Sequence, residues 1–195
     1  MSTFSAEPTS REERRRRTEA CILQEARRLF AEEGFERATI RAVAGRTGVD
    51  PALVMQYFGN KEGLFAAAMK GAHGGGTAHA APREEIPAAV LRDALAKFED
   101  TDDREAAAAL LRNFLTHPEA NRIMRDEVLC SVIRDLARTI GGNDAELKAA
   151  LLMSCVAGMA LARYVLQLPG LAGADRADVE RLLRPALQAL LGESG

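Results

Sequence analysis

ATIRAVAGRTGVDPALVMQYFGNKEGLF, residues 38–65, decides the fold of this 195-residue chain. It reads as two short helices joined by a tight turn, with a third helix beginning directly after. The Thr39 hydroxyl is placed to cap the first helix, whose apolar face is Ile40, Val43 and Ala44 at i, i+3 and i+4. Gly48 stands where the chain must turn sharply and where a positive φ is tolerated. Val49 plugs the corner. Asp50 is a good N-cap and Pro51 a good first helical residue, so a second helix spans residues 51–58, with Leu53, Val54, Tyr57 and Phe58 in its pattern. A small residue at the crossing (Ala44), a turn glycine (Gly48) and an apolar residue seating the second helix (Val54) form the skeleton of a helix-turn-helix. Such a motif lays its second helix in the major groove of DNA. The same spacing fits a structural αα-hairpin, so the flanking residues carry the decision.

On both sides the flanks agree with a DNA-binding head. The preceding helix, residues 14–33, carries Ile22, Leu23, Ala26, Leu29 and Phe30 as one apolar stripe, with Cys21 as a small filler. Gly34 reads as its stop and Phe35 as the apolar residue that follows. Downstream, Asn60 begins a further helix with Lys61 in its first turn and Leu64, Phe65, Ala68 and Met69 on its apolar side. The runs Leu29-Phe30-Ala31-Glu32-Glu33-Gly34-Phe35, Thr39-Ile40-Arg41, Val43-Ala44, Gly48-Val49, Tyr57-Phe58 and Asn60-Lys61-Glu62-Gly63-Leu64-Phe65 resemble the DNA-binding domain of the TetR family of bacterial transcription regulators. The resemblance covers about the first third of the chain. Met55 departs from it, standing where the family more often carries an aromatic residue or His.

The resemblance implies roles residue by residue. Thr39 and Arg41 face phosphates or base edges, Ala52, Leu53 and Gln56 face bases, and Tyr57 and Lys61 meet phosphates. For Tyr57 a core-packing role competes with this, and for Lys61 a plain solvent-exposed lysine. Gln56 is the side chain among these able to read adenine bidentately. Arg14 to Arg17 form an unbroken basic run. It is either a solvated helix start or an arm on phosphates, and the nearby helix-turn-helix favours the arm, with Arg16 and Arg17 as its contacts.

Charge is distributed accordingly. The net charge is −2, yet residues 1–61 hold 11 Lys and Arg against 9 Asp and Glu, and the remainder is mildly acidic. Residues 1–13 read as a disordered tail, residues 14–60 as the DNA-binding domain (motif 39–58) and residues 61–195 as a regulatory and dimerisation domain. In the latter, GAHGGGTAHAAP (71–82) reads as a flexible loop, followed by helices over 87–98, to 115, over 119–140, 145–168 and 178–191. Asp102 or Asp103 caps the second of these, and His117 the end of it. The 145–168 helix is apolar nearly all round, and Pro185 interrupts the last helix. Such a pair is expected to pack against its own copy across a two-fold axis. The resemblance implies the same homodimer through the last two helices, and Ala162-Arg163-Tyr164-Val165-Leu166 resembles C-terminal domains of actinobacterial members.

The expectation is an all-α protein, cytoplasmic, that binds double-stranded DNA at a pseudo-palindromic operator and is released by a small apolar effector. The effector is expected in a cavity between the Lys61 helix and the middle helices, with Phe98, Phe114, Met124, Met159 and Tyr164 as candidate lining. No catalytic signature, cofactor motif or metal-ligand spacing occurs; His73 and His79 lie in the glycine-rich loop without acidic or Cys partners. Three scattered cysteines argue for reduced thiols, and no apolar run suggests a membrane span or a secretory signal. Two other readings remain: a ligand-independent activator or architectural DNA binder, and a helical interaction module that does not bind DNA.

Overall fold

The computed structural model describes residues 10–74, 78, 80–99 and 104–192, and these are helical and loop throughout, with no strand among them. Helix α1 (Arg11–Arg37) starts earlier than expected. Ser10 Oγ accepts from the Glu13 N–H at 3.2 Å and the Glu13 carboxylate accepts from the Ser10 N–H at 3.0 Å. This capping box satisfies two backbone donors and puts acidic charge on the helix N-terminus, so residues 10–13 belong to α1 rather than to a tail. The rest of the expected tail lies outside the described residues. Gly34 (φ 77°, ψ 169°) breaks the helix and swings Phe35 into the core, where its ring packs edge-on against Phe65 at 5.1 Å. Asn113, from a later helix, donates to the Phe30 carbonyl at 2.9 Å, one turn before the break.

Helices α2 (Ile40–Thr47) and α3 (Pro51–Phe58) form the expected motif. The Thr39 hydroxyl accepts from the Ala42 N–H at 3.1 Å, Gly48 is left-handed at φ 69°, and the Asp50 carboxylate accepts from the Ala52 N–H at 2.7 Å. Val43, Ala44 and Val54 are fully buried. Helix α4 (Lys61–Gly74) begins where Asn60 Oδ1 accepts from the Gly63 N–H at 2.8 Å, and it outlasts the expected fade at Gly71. Gly63 is dictated by space: a Cβ there would lie 2.2 Å from the Phe58 carbonyl oxygen. A helical Gly→Ala change ordinarily gains about 1 kcal/mol. At Gly63 the contact with fixed backbone reverses the sign, and Gly63→Ala is expected to cost about 1–3 kcal/mol in urea unfolding. A stabilised variant would contradict the tight α3–α4 junction.

The remaining helices are α5 (Ile86–Glu99), α6 (Arg104–Thr116), α7 (Pro118–Ile123), α8 (Cys130–Ile140), α9 (Ala145–Ala160) and α10 (Arg176–Leu191). Asp102 and Asp103, the expected caps of α6, lie outside the described residues, as do residues 75–77 and 79 of the glycine-rich loop. The single helix expected over 119–140 is α7 and α8 joined by a π-helical turn, Met124–Leu129. A second π turn, Leu161–Val165, ends α9. His117 does not close α6. It caps α7, its Nδ1 accepting from the Ala120 N–H at 3.3 Å, because Pro118 already ends α6 by keeping its predecessor extended. Its Nε2 lies 2.7 Å from the Glu36 carboxylate, a link between the helix-turn-helix end of the molecule and α7.

Two buried clusters result. The first unites α1–α4 with Leu110, Ala120, Ile123, Met124 and Val128. The second gathers α5, α8, α9 and α10 around Leu91, Leu95, Leu152 and Leu187. The Met124–Leu129 turn packs Met124 and Val128 into the first cluster and stands between the two.

Candidate nucleic-acid interface and ligand cavity

Helix α3 is held from beneath by Val54 and shows the opposite face to solvent. Ala52, Met55 and Gln56 are exposed and Leu53 is half-buried. Thr39 and Arg41, at the start of α2, are exposed as well. The α1–α2 crossing is tied by Arg46 to Glu32 at 2.6 Å; that hydrogen bond holds the Glu32 carboxyl below its usual pKa range. Arg14 to Arg17 line the exposed first turns of α1. Arg16 pairs with Glu12 at 2.6 Å and the Arg15 guanidinium lies 5.4 Å from the centre of the Tyr57 ring. Tyr57 is half-buried against the first cluster, so both of its expected roles have a physical basis. Lys61 is set apart from this group: its ammonium donates to the Glu36 carbonyl at 2.8 Å and sits 4.6 Å from the centre of the Phe35 ring.

A cavity of about 360 Å³ opens among α5, α6, α8, α9 and the Met124–Leu129 turn. Phe98 and Met124 line it as expected, with Leu111, Ile133, Met153 and Leu161. Met159 and Tyr164 do not line it: both are buried behind the wall, Tyr164 stacked on Phe98 with ring centres 4.3 Å apart. The side chain of Phe114 lies outside the described residues. No described residue of α4 reaches the cavity either. Its apolar side is spent on α1, and the π turn stands in between. Two charged side chains, Asp93 and Lys97, do line the wall, one turn apart on α5. Burial pushes the Lys97 ammonium down to about 8, against the opposing charge of Asp93. The Ser154 hydroxyl, also at the wall, donates to the Ala150 carbonyl at 2.8 Å.

Beneath the wall, a polar cluster joins α5 to the end of α9. Arg163 donates to one Glu99 carboxylate oxygen at 3.0 and 2.8 Å, to the Ala174 carbonyl at 2.7 Å and to the Leu171 carbonyl. The Tyr164 hydroxyl donates to the same Glu99 oxygen at 2.6 Å. Burial, then that bond to Glu99, raises the Tyr164 pKa well above its usual value.

Outside, α9 and α10 leave large apolar side chains in solvent: Leu147 at 61%, Leu151 at 44% and Leu182 at 68% exposure. Small residues Ser154 and Gly158, exposed at the edge of the cavity, share the α9 face, as does the exposed Cys155. Cys21 is exposed too, so it fills no core position. Residues Ala145–Val165 are long and apolar enough to cross a membrane by length and composition, which corrects the expectation that no stretch would be. Among the described residues no group of His, Cys, Asp and Glu is gathered to hold a metal; the side chain of His73, and His79, lie outside them.

Residues 22–68 match the model of bacterial regulatory proteins of the tetR family, and residues 84–191 match the tetracyclin repressor-like C-terminal domain. The chain is 37% identical over 107 residues to the HTH-type transcriptional repressor Rv3405c of Mycobacterium tuberculosis, covering 55% of this chain and 52% of that protein. It is 48% identical over 46 residues to the HTH-type transcriptional repressor AcnR of Corynebacterium glutamicum, covering 24% of each. The chain thus spans at most about half the length of these curated relatives. Among solved structures, a TetR-family regulator from Streptomyces coelicolor is 30% identical with a TM-score of 0.64, covering 94% of this chain and 99% of that one.

Proposed function

Because the chain belongs to the TetR family of bacterial regulatory proteins, a family of transcription regulators and not of enzymes, we propose that it is a cytoplasmic, dimeric repressor of transcription. It binds a pseudo-palindromic operator through α3 and leaves it when a small, largely apolar effector enters the α5–α9 cavity. One observation carries the reading: α3 is seated by Val54 and a capped turn, and presents Ala52, Met55 and Gln56 outward on a rigid frame. Residues 14–60 read DNA and residues 61–195 hold the effector and the partner subunit. Arg16, Arg17, Thr39 and Arg41 supply phosphate contacts, which set position rather than sequence. Ala52 and Met55 offer apolar contact to thymine methyls, and Gln56 offers a bidentate pair to adenine.

The cavity supports regulation over a ligand-independent role. Met124 belongs both to the cavity wall and to the buried cluster of α1–α4. An effector that moves Met124 therefore moves the floor under α4. Mid-helix π turns recur at functional sites, and this one gives the two clusters a shared, adjustable element. The effector then favours a conformer whose recognition helices no longer match the half-site spacing. Gln56→Ala is expected to weaken preference at one base pair per half-site by about 1–3 kcal/mol, with little change at others. Selection of bound sequences by both proteins checks this; an unchanged preference removes Gln56 from base reading.

A further inference from the structure

The first turns of α1 carry Arg14 to Arg17 in an unbroken row, and the structure sets one of them apart. Arg15 stands seven residues before the buried Ile22, two turns along the stripe that α1 turns towards the helix-turn-helix. Its guanidinium lies over the Tyr57 ring, 5.4 Å from the centre, within the range of a cation–π contact. It thereby ties α1 directly to α3. Arg16, one residue on, lies off that stripe and shares its charge with Glu12 at 2.6 Å.

A ring holds a guanidinium without neutralising it. A carboxylate takes up both charge and donors, whereas an aromatic face attracts the cation and leaves its N–H groups for a further acceptor. Arg15 is exposed, so an acceptor in solution can reach them.

Tyr57 also fixes where that charge stands. The exposed face of α3 is Ala52, Met55 and Gln56, and Val54 is buried on the opposite side. Leu53 and Tyr57, one turn apart and half-buried, form a flank between the two. The major groove is about 12 Å wide, and an α-helix fills it. The flanks of an inserted helix therefore meet the phosphate strands that wall the groove, while its outer face meets base edges. A cation held on the flank faces phosphate.

Resting on the operator reading above, we propose that Arg15 is a phosphate contact at the Leu53–Tyr57 flank of α3, and that Tyr57 is the positioning residue that holds its guanidinium there before DNA arrives. A side chain already placed loses less freedom on binding than one that must be ordered by the DNA. The contact sets register and affinity and carries no sequence information.

The test measures binding of the full-length protein to the sequence it enriches most strongly from random DNA, by fluorescence anisotropy over a range of salt concentrations. Arg15→Gln is expected to weaken binding about tenfold or more and to lower the salt slope by about two per dimer, one phosphate per half-site, with the base preference unchanged. The same change is then made in two further backgrounds. Its cost is expected to persist in Tyr57→Phe, which keeps the ring, and to shrink by about threefold or more in Tyr57→Leu, which removes it. Comparison within each background cancels whatever the Tyr57 change does by itself to folding or binding. An Arg15→Gln protein with wild-type affinity and salt slope overturns the phosphate contact, and so does a shifted base preference, which would make Arg15 a base reader. An equal cost of Arg15→Gln in the Tyr57→Leu background overturns positioning by Tyr57. Wild-type protein that enriches no sequence overturns the operator reading and this inference with it, whereas specific binding that survives Arg15→Gln intact overturns this inference alone.

Discussion

Replacing Arg163 by alanine is expected to lower the free energy of unfolding by about 3–5 kcal/mol, read from urea denaturation. The side chains of Arg163 and Glu99 are only 6% and 17% exposed. Removing the guanidinium leaves the Glu99 carboxylate buried with Tyr164 as its remaining donor among the described residues, and it takes a donor from the Leu171 and Ala174 carbonyls in the loop to α10. An unpaired buried charge costs far more than a pair gains. Arg163→Lys is expected to recover little, since an ammonium cannot reproduce a fork that reaches a carboxylate and two carbonyls at once. The double change Arg163→Met with Glu99→Leu is expected to recover much of the loss, because removing both charges leaves no uncompensated ion. A loss below about 1 kcal/mol for Arg163→Ala, in the range of exposed pairs, would contradict this account of the cluster.

A larger functional effect is expected from the outer face of α9 and α10. The exposed leucines there are too many for a helix pair that meets only water, and Ser154 and Gly158 let a second helix approach closely. In the proposed dimer the pair packs against its own copy across a two-fold axis as a four-helix interface. Leu151→Glu together with Leu182→Glu places four charges in that interface per dimer. The double variant is expected to sediment as a monomer with unchanged helical content. Operator binding then loses the linkage of its two half-sites and falls by about 10²–10⁴-fold. A variant that stays dimeric locates the interface elsewhere.

The reading of residues 38–65 and the folded geometry agree closely for a physical reason. Caps and turns are local: Thr39, Gly48, Asp50 and Pro51 act within a few residues of themselves. Apolar spacing likewise predicts the α3 seat at Val54. What the sequence hid depends on contacts distant along the chain. A side chain beside Pro118 fits either helix end, and only the position of His117 near Glu36 and the Ala120 N–H decides for α7. The π turns, Met124–Leu129 and Leu161–Val165, contain no Gly or Pro, so no helix breaker marks them in the sequence. Met159 and Tyr164, candidate lining by sequence, fill the layer behind the cavity instead, because helical spacing does not separate a cavity wall from the core behind it. Lys97 lines the cavity too, and the sequence carries a signal for it. It falls at i+7 from Val90 and i+3 from Ala94, on the stripe that faces inward.

The central claim is that α3, carried on a symmetric dimer, reads a specific operator. Selection of bound fragments from random DNA by the purified protein, at near-physiological salt, tests it most directly. The account predicts an enriched palindrome whose half-sites are centred about one helical turn, or a multiple of one, apart. Weak binding without enrichment that fades steeply as salt rises would contradict it, leaving the arginines of α1 as a source of non-specific attraction alone.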